Sequence, residues 1–293
     1  MCKDCRKVFS ATSGTLMASC KIPSAQVLEM IECEIEGLSL KETSYRSGLS
    51  ESSCFNFRQR LYSMASVLMD DVCLSGQIEL DSTYSKINLS GTRPEKMPRI
   101  SKKRGKKAPV VGEFHSLRGL SHHKVCIVTG IDENDNILYR VSGLGMESAD
   151  KYEQYICHFS NDGTIISDDH CSIHAFAEKH DMKSEVIPAK HHTTGKGNSL
   201  GDVNQLHQTL KDLARSKHGI STRHLPGYLN WISYLKRLTY SIPREQIAEI
   251  ILKDLYVTEA RYIRDDICKA DQPVSLYEAY GEYHYGIFSE SQN

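Results

Sequence analysis

Apolar positions between residues 24 and 71 recur at intervals of three and four. Val27, Leu28, Ile31 and Ile35 line one face, which predicts a helix that Gly37 ends. Ser39 followed three residues later by Glu42 forms a capping box for a second, short helix that Gly48 breaks. Ser50 can then cap a third helix carrying Phe55, Leu61, Met64 and Leu68. The pattern is helix-turn-helix-like. The acids Glu29, Glu32, Glu34 and Glu36 unsuit the first helix to DNA, so Arg58 and Arg60 on the third are the expected readers, its amino end in a major groove. After Gly76 the period changes to that of a strand over residues 77–89. Further strands follow at Val110-Val111, at 124–131 and 136–141 joined by the turn Asp132-Glu133-Asn134-Asp135, at Ile165-Ile166 and at Glu185-Val186-Ile187. Helical stretches are predicted from Ser148 through Phe159, over 172–179, 200–217 and 225–238, and from Arg244 to Leu255. Strands in a meander, then strands alternating with helices, describe an α/β fold with a mixed sheet flanked by helices.

Composition narrows the class. With 40% apolar and 25% charged residues the 293-residue chain is an ordinary globular one of about two domains. No apolar run approaches the roughly 20 residues of a membrane helix, and no charged-then-apolar leader follows Met1, so a cytoplasmic protein is expected. Ten cysteines then point to reduced thiols or a metal site rather than a disulfide framework. A formal net charge of −1 excludes a polycation that coats nucleic acid. One segment breaks that neutrality: Arg93, Lys96, Arg99, Lys102, Lys103, Arg104, Lys106 and Lys107 face the single acid Glu95, as in a phosphate-seeking loop or a solvated surface loop.

Cys2-Lys3-Asp4-Cys5 has the shape of a zinc knuckle, yet a structural zinc site takes four ligands, and Cys20 and Cys33 lack the spacing to complete it. The reading is half of a ribbon, with the other half upstream of the given start. Thr194-Gly195-Lys196-Gly197-Asn198-Ser199 lacks the spaced glycine and strand-to-helix context of a phosphate loop, so no nucleotide cofactor is expected. Three oxygen-bearing positions stand out: Asp81 within the first strand, Asp168 at the end of Ile165-Ile166-Ser167-Asp168, and Asn204 early on the helix that follows. Two strand acids and an oxygen donor from a helix can hold two magnesium ions for phosphoryl transfer. Each acid taken alone is more often a surface or turn residue. Asp169, Asp202 and, on the same strand face as Asp81, Glu79 are possible substitutes.

The order and spacing of several motifs carry a resemblance. They are Cys-Lys-Asp-Cys-Arg-Lys-Val-Phe-Ser-Ala-Thr-Ser-Gly-Thr at 2–15, Glu-Leu-Asp-Ser-Thr-Tyr at 79–84, Pro-Val-Val-Gly at 109–112, Ser-Asp-Asp at 167–169 and Asp-Val-Asn-Gln-Leu-His-Gln-Thr-Leu-Lys at 202–211. Over about residues 1–238 the chain resembles bacterial insertion-sequence transposases with an N-terminal zinc ribbon and a ribonuclease H-like DDE domain. Within these it is similar to the branch whose third ligand is asparagine, followed seven residues later by lysine. Gly219 to Leu225, with Tyr228, Leu229 and Trp231, resembles the segment after that ligand. Asp169 and Ile173 stand where the family more often has glycine and tyrosine.

The resemblance implies a partial zinc ribbon at 1–22 with Cys2 and Cys5, a helix-turn-helix-like module at 23–73, a ribonuclease H-like catalytic domain at 74–240 and a helical and polar extension at 241–293. It implies that Asp81, Asp168 and Asn204 hold two magnesium or manganese ions and that Lys211 trails them, with zinc bound where the ribbon is whole. DNA is the implied partner, both the element's terminal inverted repeats and a target, contacted by Lys211 and by Lys102, Lys103, Arg104, Lys106 and Lys107. Two ends held together imply an oligomer on DNA. The rival reading is a decayed transposase that binds DNA as a repressor without catalysis. On one helical face Asn204, His207 or Gln208, and Lys211 fall together, which agrees with that assignment.

Overall fold

A computed structural model describes residues 3–6, 8–91, 124–188, 191 and 193–280. Cys2, the basic stretch with Lys102, Lys103, Arg104, Lys106 and Lys107, and Val110-Val111 lie outside the described residues.

The N-terminal helices end where local chemistry says they should. Helix α1 (Ser24–Ile35) stops at Gly37, α2 (Leu40–Ser47) begins at a reciprocal capping box between Ser39 and Glu42, and α3 (Glu51–Leu68) begins where Ser50 Oγ accepts the Ser53 N–H at 3.2 Å. Gly48 closes α2 at φ +69°, a left-handed conformation that costs glycine nothing.

Five described strands form one mixed sheet. Strands β1 (Gln77–Lys86), β2 (Lys124–Asp132) and β3 (Ile137–Leu144) are antiparallel neighbours, while β4 (Thr164–Asp168) lies parallel to β1 and β5 (Lys183–Ile187) parallel to β4, in the order β3-β2-β1-β4-β5. This is the expected α/β fold, a mixed sheet flanked by helices. The expected helix from Ser148 to Phe159 is corrected to a short α4 (Ala149–Glu153) and a single 3-10 turn, Ile156–His158. The main chain there is taken by Leu74, whose N–H donates to His158 O at 2.7 Å and whose carbonyl accepts from Ser160 at 2.8 Å.

Helices α5 (Cys171–Lys179), α6 (Gly201–Ser216), α7 (Leu225–Ser241), α8 (Arg244–Val257), α9 (Arg264–Lys269) and α10 (Leu276–Tyr280) are the remaining α-helices among the described residues. Strand alternation splits the core. Ile78, Leu80, Val128 and Ile165 pack with α1, α3, α5 and α8 on one face, whereas Val125, Ile127, Ile131 and Tyr139 pack with Val203, Leu206 and Leu210 of α6 on the other. Helix α7 serves both, through Trp231 and Leu229. Gly227 permits its approach to α3, since a Cβ there would stand 3.2 Å from Tyr62 Cβ. No helix among the described residues is long and apolar enough to cross a membrane.

A buried ionic cluster corrects one sequence expectation. Arg58 does not face solvent: it is 3% exposed, its Nε donates to Glu34 Oε2 at 2.7 Å and its Nη2 to Leu38 O at 2.9 Å. Lys217, just past α6, reaches the same carboxylate at 3.0 Å and the same carbonyl at 2.6 Å, and Tyr62 donates to it as well. Burial pulls the Lys217 ammonium down to about 8 against the opposing pull of Glu34. Arg60 is likewise turned inward, donating to the carbonyls of Leu16 and Ala18 and stacking its guanidinium 4.6 Å from the Tyr262 ring centre. Helix α3 is covered by α1, α7 and α8, so Arg58 is not presented to a groove, while Arg60 is half-buried.

Removing Glu34 leaves two buried cations without their counter-charge, so Glu34→Ala should cost about 3 kcal/mol or more, whereas Ser39→Ala, which removes an uncharged N-cap hydrogen bond, should cost about 1 kcal/mol. Urea unfolding of the two variants checks the ranking; equal losses contradict it.

Candidate active site

Strand β1 turns Ile78 and Leu80 into one core and Glu79 and Asp81 toward the opposite face, where α6 lies. A helix starts with N–H groups that have no partner inside it. Glu79 supplies one: its Oε2 accepts from the N–H groups of both Asp202 and Val203 at 3.0 Å. Burial raises the Glu79 carboxyl above its usual value, and these two hydrogen bonds work against the rise. Glu79, a possible metal ligand in the sequence, is thereby committed to seating α6.

Two residues further along β1, Asp81 is the cross-strand partner of Thr129 on β2. On its other side, β1 pairs with β4 from Gln77↔Thr164 to Glu79↔Ile166. Continued by two residues, that register brings Asp81 level with Asp168, the last residue of β4, and level residues of parallel strands project to the same face. The two aspartates differ in setting. Asp168 is exposed, whereas the Asp81 side chain is 22% exposed.

Burial lifts the Asp81 carboxyl to about 7. The Ser82 N–H, donated to Oδ1 at 2.7 Å, opposes that lift, and the charges of Asp168 and Glu147 add to it. Helix α6 answers with a histidine. His207, 7% exposed, places Nε2 3.0 Å from Thr129 Oγ1 and Nδ1 3.9 Å from Asp81 Oδ2. Burial, reinforced by Lys211, lowers the imidazole to about 4, so it is neutral at pH 7 and does not cancel the aspartate's charge. Asn204 and Lys211 lie on the same side of α6 at intervals of three and four from His207, and both are exposed.

Sequence reasoning missed Glu147. It precedes α4 in a loop without periodicity, yet its largely buried carboxylate accepts from Tyr152 Oη, from Tyr84 Oη at 3.5 Å and stands 3.5 Å from His170 Nε2. Asp169, the alternative to Asp168, pairs at 3.6 Å with His174 on α5.

The donors fit a hard divalent cation. Two carboxylates, one of them largely buried and raised by that burial, and the amide of Asn204 on α6 are oxygen donors of the kind magnesium and manganese take. Among the described residues no three His, Cys, Asp or Glu side chains converge as a metal-binding group. The ribbon fares differently. Cys5 is an exposed free thiol in a segment of turns, and the described part of residues 3–22 has Thr15↔Glu259 as its isolated β-bridge.

No family model matches the chain, and no curated protein matches it. Among solved structures, the Mos1 mariner paired-end complex with Mn shares 11% identity at TM-score 0.30, covering 80% of this chain and 79% of that one. The Mos1 strand transfer complex shares 12% at TM-score 0.31, covering 90% and 83%. A likeness so loose carries nothing about function.

Between about pH 4 and 7 the folded chain binds a proton at Asp81 that the unfolded chain has released, so without metal stability falls as pH rises through that window. Asp81→Asn should remove on the order of 2 kcal/mol of that decline. Urea unfolding at pH 5 and pH 7.5 in a chelator reads the difference; parallel curves for wild type and variant contradict it.

Proposed function

We propose that this chain is a DDE-type DNA transposase of an insertion sequence, which hydrolyses phosphodiester bonds at the element's ends and joins the freed 3′ ends to a target. The observation that carries the reading is the level placement of Asp81 and Asp168 on neighbouring parallel strands, beneath a helix bearing Asn204 and Lys211 on one side. These are the four positions of the Asp-Asp-Asn-Lys resemblance.

Asp81 and Asp168 would hold magnesium or manganese, with Asn204 as the third donor. When bound, two such ions activate a water or a 3′-hydroxyl and stabilise the leaving oxygen. The chain's own part is electrostatic and positional. Neutral His207 leaves the charge of Asp81 for the cation. Glu79 fixes the start of α6 and with it the side of the helix that carries Asn204. The exposed ammonium of Lys211 meets a backbone phosphate as a point charge. Lys102, Lys103, Arg104, Lys106 and Lys107 supply further phosphate contacts in this reading, and pairing of two element ends calls for at least a dimer on DNA. Arg58, buried against Glu34, takes no part.

Labelled DNA carrying the inverted repeats that flank the gene tests the proposal with magnesium or manganese. Wild type should cleave and join. Asp81→Ala and Asp168→Ala should lose about 100-fold or more in both steps, and Lys211→Ala should weaken DNA binding and reduce its salt slope by about one. Undiminished metal-dependent cleavage by folded Asp81→Ala would sink the reading, and binding without products in every version would establish a repressor instead.

A further inference from the structure

We propose that His207 is a positioning residue: with Thr129 it forms a buried brace that holds the Asp81 carboxylate in the orientation in which it takes up a divalent cation. The inference rests on the metal site of the transposase reading and deepens it.

Asp81 and Thr129 are partners across β1 and β2, so their side chains stand side by side on the face that α6 covers. The imidazole of His207 spans the two. Nε2 is 3.0 Å from Thr129 Oγ1, and Nδ1 is 3.9 Å from Asp81 Oδ2. Thr129 is fully buried, so its hydroxyl fixes the ring plane without competition from water. The first distance is a hydrogen bond and the second is not. Asp81 is therefore held asymmetrically: Oδ1 accepts the Ser82 N–H at 2.7 Å, while the ring walls off one side of Oδ2, which takes no hydrogen bond from the described residues. An oxygen already taking a strong hydrogen bond is a poorer donor to a cation, and a freely turning carboxylate loses entropy when one binds. The brace avoids both costs.

The identity of residue 207 supports the same conclusion. It belongs to the inward row Val203, Leu206, His207 and Leu210, where an apolar side chain would be buried without needing a partner. An imidazole in that row needs one, and its partner is the residue paired with Asp81.

Mn2+ titration followed by electron paramagnetic resonance, on the metal-stripped full chain, tests the brace without relying on turnover. Melting temperatures are recorded alongside. Wild type should bind Mn2+ and Asp81→Ala should not. His207→Ala and Thr129→Val should each weaken Mn2+ by about 10-fold or more, and the double variant should be little worse than the weaker single one, because the two side chains act as a unit. A purely packing role would lower the melting temperature and leave Mn2+ affinity in place. Affinities within about twofold of wild type in both folded single variants, with Asp81→Ala still abolishing binding, overturn the brace alone. Failure of wild type to bind Mn2+ overturns the metal-site reading and the brace with it. Should His207→Ala not fold, the near-isosteric Thr129→Val carries the test.

Discussion

The hold of Glu79 on the first turn of α6 is the constraint from which the rest of the site follows. Two N–H groups at the start of a helix need acceptors, and a single carboxylate oxygen on β1 meets both at 3.0 Å. That contact sets where α6 begins relative to the strand. The rotation of the helix is set by Val203, Leu206 and Leu210, which enter the core against β2 and β3. With start and rotation both fixed, the residue that meets the sheet about one turn further along is His207, and the strand residue two beyond Glu79 is Asp81. A strand advances about 3.3 Å per residue and a helix 1.5 Å, so two strand residues and four or five helical ones cover the same distance. The encounter of His207 with Asp81 is therefore a consequence of the Glu79 contact and of the two rises.

Four carboxylates gather around this end of the sheet, and they are satisfied in different ways. Glu79 accepts two backbone N–H groups. Glu147 accepts from two tyrosines and lies near His170. Asp168 is exposed to water. Asp81 has one backbone hydrogen bond and a neutral imidazole for company, and it is the acid whose carboxyl rises to about 7. Burial of a charge is tolerated when partners compensate it. Among the described residues Asp81 has a single hydrogen bond and no cationic partner, which separates it from Glu79 and Glu147 and marks a place where a cation would do most.

What could be read from the sequence was local. The capping box at Ser39 and Glu42, the stop at Gly48 and the Ser50 cap depend on residues within four positions of one another, and all three are found. Alternation along β1 correctly set Glu79 and Asp81 on one face. It could not tell which of the two would be used by a helix start more than 120 residues downstream. Arg58 and Arg60 look like DNA readers because exposed arginines on a third helix usually are; Glu34, the carbonyls of residues 16, 18 and 38, and Tyr262 turn them inward, and no local pattern records those partners. The helix expected through Phe159 fails for the same reason, its main chain being claimed by Leu74. The 204, 207, 211 stripe was legible as a helical face. That His207 is its buried edge and Asn204 its exposed one depends on how α6 sits on the sheet.

The far end of α6 is held as firmly as the near one. Lys217 ties it to Glu34 of α1, and Arg58 of α3 shares both that carboxylate and the Leu38 carbonyl. Sixteen helical residues span about 24 Å, so α6 is a strut between β1 and the N-terminal helices. A helix pinned at both ends can neither slide nor roll without breaking a buried contact at one of them. Breaking the Lys217 end strands charges in the core, which is expensive; breaking the Glu79 end exposes two N–H groups and frees a carboxylate. The N-terminal helices therefore bear on the site without any DNA contact from Arg58. They fix the axis along which α6 brings His207 against Asp81.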